Sequence, residues 1–275
     1  MKRVWGHVLG GISLLGGGAF AFFACVHNDS TIFIQDVLAP QEVANNQPCV
    51  FTASTTQVTI SSGVLDLDFR ASYDAEFLVG NQMVAEANSA QLVTETSTVT
   101  LQGAVVRITD ASGKNQLATF TRLTSGTIYP ATGGVPGYAP IGVTIVDSNT
   151  VLSNPDILNK VLRAPARSAS VRLVTYLRFF GNTLGGRYVE SDEFEFPVDV
   201  CKGCLITFSP QDINPNADVP NCIGPCSASG MTSSQAPIPC VVGQDLAIDC
   251  VQCQGVPDCM PNANTLRTTD GGCGK

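Results

Sequence analysis

Cysteine spacing is the feature that most restricts how this chain can fold. Nine of the eleven cysteines lie between residues 201 and 273, in a stretch rich in Pro, Asn and Gly with little hydrophobic periodicity. Such a stretch has too few apolar residues to build its own core, so its stability depends on covalent cross-links. We therefore predict that residues 201–275 form a loop-rich module stapled by disulfides, which requires an oxidising compartment.

The odd number of cysteines in this module predicts a bond to the preceding part of the chain. Apart from Cys25, the one cysteine outside it is Cys49, at the start of a β-rich region that ends near Cys201. We expect Cys49 to pair with Cys201 or Cys204, closing a loop of about 150 residues worth about 4 to 5 kcal/mol in the chain-entropy treatment. The ten cysteines assigned to disulfides are Cys49, Cys201, Cys204, Cys222, Cys226, Cys240, Cys250, Cys253, Cys259 and Cys273.

Three short motifs in the module allow other readings. CKGC (201–204), CIGPC (222–226) and CVQC (250–253) have spacings found in zinc sites, and CxxC is also found in thiol-redox sites. In an exported chain the same spacing is typical of disulfides, and no thioredoxin-like βαβ pattern surrounds it. We predict structural disulfides, with no metal and no cofactor.

Residues 47–200 have the alternation of β-strands. LDLDF (65–69) alternates apolar and polar side chains with a period of two. The turns DASGK (110–114) and GNTLGG (181–186) each separate two strand-like runs, which predicts two hairpins. Short strands at this spacing predict an all-β fold, an antiparallel immunoglobulin-like β-sandwich.

One short helix is predicted inside the sandwich domain. Asn154 can cap it, Pro155 suits its first position, and Arg163 and Pro165 mark its end. Its apolar stripe consists of Ile157, Leu158, Val161 and Leu162. We expect this helix to cover one end of the sandwich as a structural lid, the alternative being a ligand gate.

The N-terminus has the layout of a secretory signal peptide. Lys2 and Arg3 precede an apolar, glycine-rich run over residues 8–23. A bilayer span needs about 20 apolar residues and no positive cluster follows this run, so a cleaved signal fits better than a retained anchor helix. Cleavage after the small residues Ala19 and Ala21 would give a secreted protein.

A second cleavage site is indicated by Phe22-Phe23-Ala24-Cys25, which resembles the lipobox of bacterial lipoproteins. The resemblance covers these four residues and implies that Cys25 becomes the first mature residue and carries the lipid. Removing Cys25 from the thiols leaves an even ten. In bacterial lipoproteins, the residue after the lipidated cysteine directs sorting between membranes. Here that residue is Val26 rather than Asp, so the resemblance implies the outer membrane. We predict a signal peptide over 1–24, an anchor and tether over 25–46 with one short strand, TIFIQ, and the sandwich over 47–200.

The charge of the chain argues against nucleic acid as a partner. Its 15 basic residues, less Lys2 and Arg3 of the signal, leave 13 against 23 acidic residues, a net charge of −10. Phosphates are repelled by such a surface, and no basic cluster is present.

Acid–base catalysis has little support in the sequence. His27 is the single histidine after the signal and lies in the predicted tether, so a Ser-His-Asp site has no base. Four carboxylates lie on one predicted strand over 188–196, namely Glu190, Asp192, Glu193 and Glu195. Glu193 and Glu195 share a face, and paired carboxylates can hydrolyse glycosides, but an exposed strand face explains them as well. We predict no catalytic residue.

One segment weakly resembles a calcium loop. Oxygen ligands stand at alternate positions, at Asp212, Asn214, Asn216 and Asp218. Pro215 lies inside the loop, Ala217 replaces the glycine, and Ile223 stands where the bidentate Glu belongs. These departures favour a polar turn over a calcium site.

These observations predict a non-enzymatic outer-membrane lipoprotein that acts as a structural or protein-binding component of the bacterial cell envelope. The alternatives are a calcium- or small-ligand-binding surface lipoprotein and a hydrolase. We expect the partner to contact the loop from Tyr129 to Tyr138, because it is too rich in Gly and Pro for a strand and presents two tyrosines.

Overall fold

Two β-sheets packed face to face form the body of the protein. The computed structural model describes residues 30–40, 42–43, 49–86, 94–208, 238–253 and 255–259. The first sheet has the strand order β3-β1-β5-β8 and contains β1 (Ile32–Leu38), β3 (Thr59–Ile60), β5 (Tyr73–Asn81) and β8 (Gly137–Val146). All of its neighbouring strands are antiparallel.

The second sheet is longer and has the order β4-β11-β9-β6-β7. It contains β4 (Gly63–Asp66), β6 (Val99–Asp110), β7 (Gln116–Ile128), β9 (Ser170–Thr183), β10 (Tyr188–Glu190), which also pairs with β9, and β11 (Phe194–Cys201). Its strands are antiparallel except for the parallel pair of β4 and β11. The predicted antiparallel, immunoglobulin-like β-sandwich is confirmed.

Two further strand pairs are short. β2 (Glu42–Val43) pairs with β13 (Ile238–Pro239), and β12 (Ile206–Thr207) pairs with β14 (Ile248–Asp249). Single turns of 3-10 helix cover Cys250–Cys253 and Pro257–Cys259. The described part of the cysteine-rich region is therefore mostly loop, as its composition predicts.

The core is formed where the inward side chains of the two sheets meet. Phe77 of the first sheet is fully buried, and its ring lies edge-on to the rings of Phe179 and Phe194 of the second, at 5.7 and 6.0 Å between centroids. Edge-to-face packing at this separation is favourable for aromatic rings. The inward direction of Phe194 and Phe196 agrees with the alternation of the sequence.

The sandwich has two distinct ends. At the leading end, β1 begins at Ile32 beside Asn81, which also pairs with Gly137. The buried Asn81 joins the sheets there, since its Nδ2 donates to the carbonyl oxygens of Ser97 and Ile128 at 2.9 and 3.2 Å. At the opposite junction end, β4 and β11 finish side by side.

The sandwich begins earlier in the chain than the sequence predicts. The tether expected over residues 25–46 contains β1, which lies between β3 and β5 and buries Ile32, Val37 and Leu38. A register shift between Ile34 and Asp36 interrupts its alternation, which is why the sequence indicates only a short strand. The lower boundary of the sandwich is thus near residue 32 rather than 47.

Two short helices replace the single predicted one and cover the junction end. They are α1 (Ser148–Ser153) and a π-helical turn (Ile157–Leu162). Asn154 caps as predicted, because its Oδ1 accepts the N–H groups of Asp156 and Ile157 at 2.9 and 3.2 Å. Val151, Ile157 and Val161 belong to the core, which agrees with a structural lid.

Both predicted hairpins are present. β6 and β7 are joined by the turn after Asp110, whose carboxylate accepts the hydroxyl of Ser112 at 2.6 Å and the side-chain amide of Asn115. These hydrogen bonds lower the pKa of Asp110 to about 2. β9 and β10 are joined after Thr183. In the described part of the chain, no helix is both long and apolar enough to cross a membrane.

Candidate functional site

Cysteine pairs link the C-terminal region to itself and to the sandwich. Cys201 lies 6.0 Å from Cys204 and Cys253 lies 5.9 Å from Cys259, measured between Cα atoms of bonded pairs. Cys250 is also disulfide-bonded. The bridges are consistent with the predicted oxidising compartment. Cys25, Cys222, Cys226 and Cys273 lie outside the described residues.

The predicted pairing of Cys49 is wrong. Its partner is Cys240, at a Cα separation of 5.6 Å, whereas Cys201 and Cys204 are bonded to each other. The strand pair β2–β13 brings Cys240 to the segment that contains Cys49. In the chain-entropy treatment, the bridge that closes the larger loop adds more to the free energy of unfolding. Cys49–Cys240 therefore contributes about 5 kcal/mol, against about 2 kcal/mol for Cys201–Cys204.

A group of charged side chains, which we name the junction cluster, lies where β4 meets the C-terminal region. It consists of Asp66, Asp68, Arg167, Lys202 and Asp258. Asp66 is fully buried at the end of β4, and its carboxylate accepts the backbone N–H groups of Gly203 at 2.7 Å, Leu205 at 2.9 Å and Asp68 at 3.1 Å. One side chain therefore holds the turn that contains the Cys201–Cys204 bridge.

Gly203 is required at the centre of this turn. Its φ of +66° lies in the left-handed region, and an added Cβ would lie 3.0 Å from the Cβ of Ala166 and 3.1 Å from Oδ2 of Asp68. A larger residue would separate the turn from Asp66. The glycine in CKGC thus has a structural reason that the motif spacing does not reveal.

Charged side chains surround Asp66 without pairing directly with it. Lys202 Nζ lies 2.9 Å from the Asp258 carboxylate. Arg167 donates from Nε to the carbonyl of Gly203 at 2.9 Å, and its guanidinium stacks over the ring of Phe208 at 4.2 Å. These contacts fix the segment before β9 and the turn Pro257–Cys259 against the same point.

The two outer carboxyls of the junction cluster have opposite pKa shifts. Burial and the neighbouring Asp258 raise the pKa of Asp68 to about 7. Burial by itself would raise the pKa of Asp258, but hydrogen bonds from Lys202 and Asp68 lower it. The pair therefore shares one proton near neutral pH, with Asp68 as its holder.

A second buried polar contact ties the C-terminal region to β5. The hydroxyl of the buried Tyr73 donates to Asp245 at 2.7 Å, and the other oxygen of Asp245 accepts the N–H of Val64 at 2.7 Å. Burial raises the pKa of Asp245, although the bond from Tyr73 opposes this. Gln244 is also buried and accepts the N–H of Asp74 at 3.0 Å. Residues 244–245 are thus part of the sandwich edge.

These contacts cross the predicted domain boundary at residue 201. Asp66 and Tyr73 of the sandwich hydrogen-bond to residues 203, 205 and 245. The region beyond residue 201 also has a small hydrophobic cluster of its own, formed by Ile206, Ile248, Cys250, Cys253 and Cys259. The alternation LDLDF is also misleading about Asp66. The alternation would place the Asp66 carboxylate in solvent, but β4 ends at this residue and the side chain is buried.

Asp66 and the neighbouring Cys201–Cys204 bridge are arranged as a structural link between segments rather than as a metal site. Ligand atoms of Asp66, Cys201 and Cys204 lie within 4.8 Å of one another, as a metal site would need. However, the two sulfurs are bonded to each other and the Asp66 oxygens already accept three N–H groups, so neither supplies a free ligand. The arrangement therefore serves to hold polypeptide segments together.

The four carboxylates considered for glycoside hydrolysis are not on one strand. β10 ends at Glu190 and β11 begins at Phe194, because Ser191 breaks the pairing by accepting the N–H of Phe179 through its Oγ. Glu190 pairs with Arg178 at 3.2 Å and Glu193 with Arg107 at 2.8 Å. Both carboxylates are therefore members of surface ion pairs.

Asp192 and Glu195 have different positions. Asp192 accepts the hydroxyl of Ser30 at 3.0 Å, and Glu195 pairs in register with Tyr176 within β11 and β9. The calcium candidates Asp212, Asn214, Asn216 and Asp218 lie outside the described residues, as does His27. Neither Asp192 nor Glu195 contacts the junction cluster, whose members the sequence did not single out.

Replacement of Asp66 tests whether it organises the junction. Asp66→Asn keeps the shape but places an amide NH₂ against a backbone donor, so we expect a loss of about 2 to 4 kcal/mol in the free energy of unfolding. Urea unfolding measures it. The matched control is Asp156→Asn, at an exposed ion pair with Lys160, which should change stability by less than about 0.5 kcal/mol. Equal effects of the two variants would contradict the role given to Asp66.

The proton held by Asp68 predicts a pH dependence of stability. Because its folded-state pKa of about 7 exceeds the unfolded value, its stabilising contribution is full below about pH 4 and is lost as the pH rises through 7. Asp68→Asn does not ionise, so it should gain stability relative to the native protein between about pH 4 and pH 8. Thermal midpoints across that range measure the difference.

The control variant, Asp110→Asn, should change stability in the opposite direction. The pKa of Asp110 is lowered, so Asp110→Asn should lose stability at neutral pH, with the loss shrinking as the pH falls toward 2. Parallel curves for Asp68→Asn and the native protein would show that Asp68 holds no proton at neutral pH.

Comparison with known proteins does not add to this picture. No protein-family model, no curated protein and no solved structure matches the chain. A proposal for its function therefore depends on its own residues and on the way the fold arranges them.

Proposed function

We propose that the protein is a lipid-anchored, non-enzymatic component of the bacterial outer membrane, with a structural or protein-binding role in the cell envelope. The observation that supports this best is the direction of the chain through the sandwich. β1 begins at Ile32 at the leading end, while the disulfide-bonded C-terminal region is fastened to the junction end. A lipid at Cys25 would thus place the two ends at different distances from the membrane.

The reach of the linking segment supports this orientation. Six residues separate Cys25 from Ile32, and an extended chain of that length spans about 20 Å at most. A sandwich so closely attached would turn its leading end toward the bilayer and present its junction end away from it.

The partner surface we propose is the junction end. Leu152 and Lys160 of its helices and the following Arg163 are exposed, which gives a mixed apolar and charged surface. Arg167, four residues further on, hydrogen-bonds to the turn that contains the Cys201–Cys204 bridge. The loop from Tyr129 to Tyr138, expected from its composition to contact a partner, lies at the leading end instead. We therefore do not assign it to the protein partner.

The anchor is tested by the intact mass of the membrane-extracted protein, alkylated with and without prior reduction. We expect a chain that starts at Cys25, is heavier by acyl groups, and gains ten alkylation sites only after reduction. Cys25→Ala should leave the membrane fraction, whereas Cys49→Ala should stay in it. A lipid-free chain that starts at Phe22 would contradict the proposal and indicate a secreted protein.

The partner surface is tested with a photo-reactive residue in intact cells. We expect cross-links to one or a few envelope proteins when Leu152, 54% exposed on α1, is replaced. The control is Leu123, which is 88% exposed in the middle of β7. The Leu152 cross-links should disappear when Cys25→Ala is added. The same products from both positions would show that the junction end has no specific partner.

A further inference from the structure

The leading end exposes a group of large apolar side chains. They come from the three loops β5–β6, β7–β8 and β9–β10, and each is 62–74% exposed: Val84, Tyr129, Val135 and Leu184. We name this surface the apolar tip. Contiguous exposed apolar groups on a monomer commonly mark a surface that another phase or molecule covers.

Backbone hydrogen bonds hold the loops of the apolar tip together. The N–H of Ala131 donates to the carbonyl of Met83 at 2.7 Å, which ties the loop of Tyr129 to the loop of Val84. The N–H of Leu184 donates to the carbonyl of Thr98 at 2.8 Å. Tyr129 and Leu184 line the same shallow hollow of about 670 Å³. The backbone segments that carry these apolar side chains are therefore held next to one another.

Val135 is held by a tight turn of its own. Thr132 and Val135 exchange backbone hydrogen bonds of 2.9 and 3.1 Å around two glycines, Gly133 and Gly134, with φ of +61° and +82°. Both glycines have open space around the position of a Cβ, so the positive φ rather than crowding requires them. This turn keeps Val135 projecting outward.

The central loop of the apolar tip is uncharged. Residues 129–138 contain no Asp, Glu, Lys or Arg. Tyr138, at the end of the loop, packs its ring edge-on to Phe33 of β1 at 6.0 Å. Glu95 also lines the hollow, so the surface as a whole is mixed, with the uncharged loop at its centre. Aliphatic groups and an exposed tyrosine in that loop have the chemistry of the membrane interface, where aromatic rings with one polar atom are favoured.

The chain approaches the sandwich through this same end. The carbonyl of Ser30 accepts a hydrogen bond from Gln82 Nε2 at 2.8 Å, and its hydroxyl donates to Asp192 at 3.0 Å. Cys25 is five residues earlier, within about 18 Å of Ser30 even if that segment is extended. A lipid on Cys25 would thus lie beside the loops of the apolar tip.

We propose that the apolar tip inserts into the headgroup region of the bilayer that holds the Cys25 lipid. This inference rests on the proposed lipid anchor. Because the anchor makes the second contact intramolecular, even a weak apolar surface stays at the membrane. The lipid supplies attachment, and the apolar tip sets the orientation of the sandwich.

A single tryptophan tests the contact. The one Trp of the sequence, Trp5, belongs to the signal, so Tyr129→Trp gives a mature chain with one reporter. The lipidated protein is placed in phosphatidylethanolamine and phosphatidylglycerol vesicles, with and without brominated acyl chains. We expect about twofold quenching by the brominated lipids, since interfacial groups lie about 5 to 10 Å into the headgroup and acyl boundary.

Two further variants are the controls. Leu152→Trp, on α1 at the junction end, should show no quenching, because the sandwich separates it from the bilayer. Adding Val84→Glu and Leu184→Glu to Tyr129→Trp should abolish the quenching while the protein still floats with the vesicles. This pair of charges lies in exposed positions, so the fold should be retained.

The outcomes separate this inference from the proposed function. Flotation without quenching in the Tyr129→Trp variant overturns the apolar tip contact and leaves the anchor intact. Failure of the lipidated preparation to float overturns both. The same tryptophan could be shielded from aqueous iodide in native membranes but not in vesicles that contain the purified variant alone. That result would assign the surface to a protein partner and overturn the membrane contact.

Discussion

A buried carboxylate organises the junction on which the rest of the structure depends. Asp66 ends β4, and its three backbone donors come from residue 68 and from the turn after β11, more than 130 residues later. A buried carboxylate without such donors would be strongly unfavourable, so folding must bring the two segments together. The same contact sets β4 parallel to β11 and directs the chain out of the sandwich toward the C-terminal region.

Local patterns in the sequence were enough to predict much of the sandwich. The turn at Asp110, the cap at Asn154 and the inward Phe194 and Phe196 each depend on residues within a few positions of one another. β1 was underestimated because its register shift breaks the alternation. A pattern of period two detects a regular strand and misses one that contains a bulge.

The errors at the junction have a common physical cause. The partner of Cys49 and two of the three donors to Asp66 are distant in sequence, and neither residue type indicates which distant segment will approach it. The odd number of cysteines in the C-terminal region correctly indicated a bridge from Cys49 to that region. It carried no information on which of those cysteines would lie near Cys49. Likewise, a polar residue in an alternating run is equally compatible with solvent and with backbone donors supplied by another segment.

The Cys49–Cys240 bridge also determines how the protein would transmit mechanical load. Tension applied between Cys25 and the chain beyond Cys240 passes through β1 to Cys49 and then directly across the disulfide. The 190 residues between the two cysteines form a closed loop outside this path, since the sequence separation is 191. β1 would be loaded along its length against β5, so its hydrogen bonds resist together rather than one after another. Under a load applied in this way, the chain would yield only as far as β1, and the strands enclosed by the disulfide would stay folded.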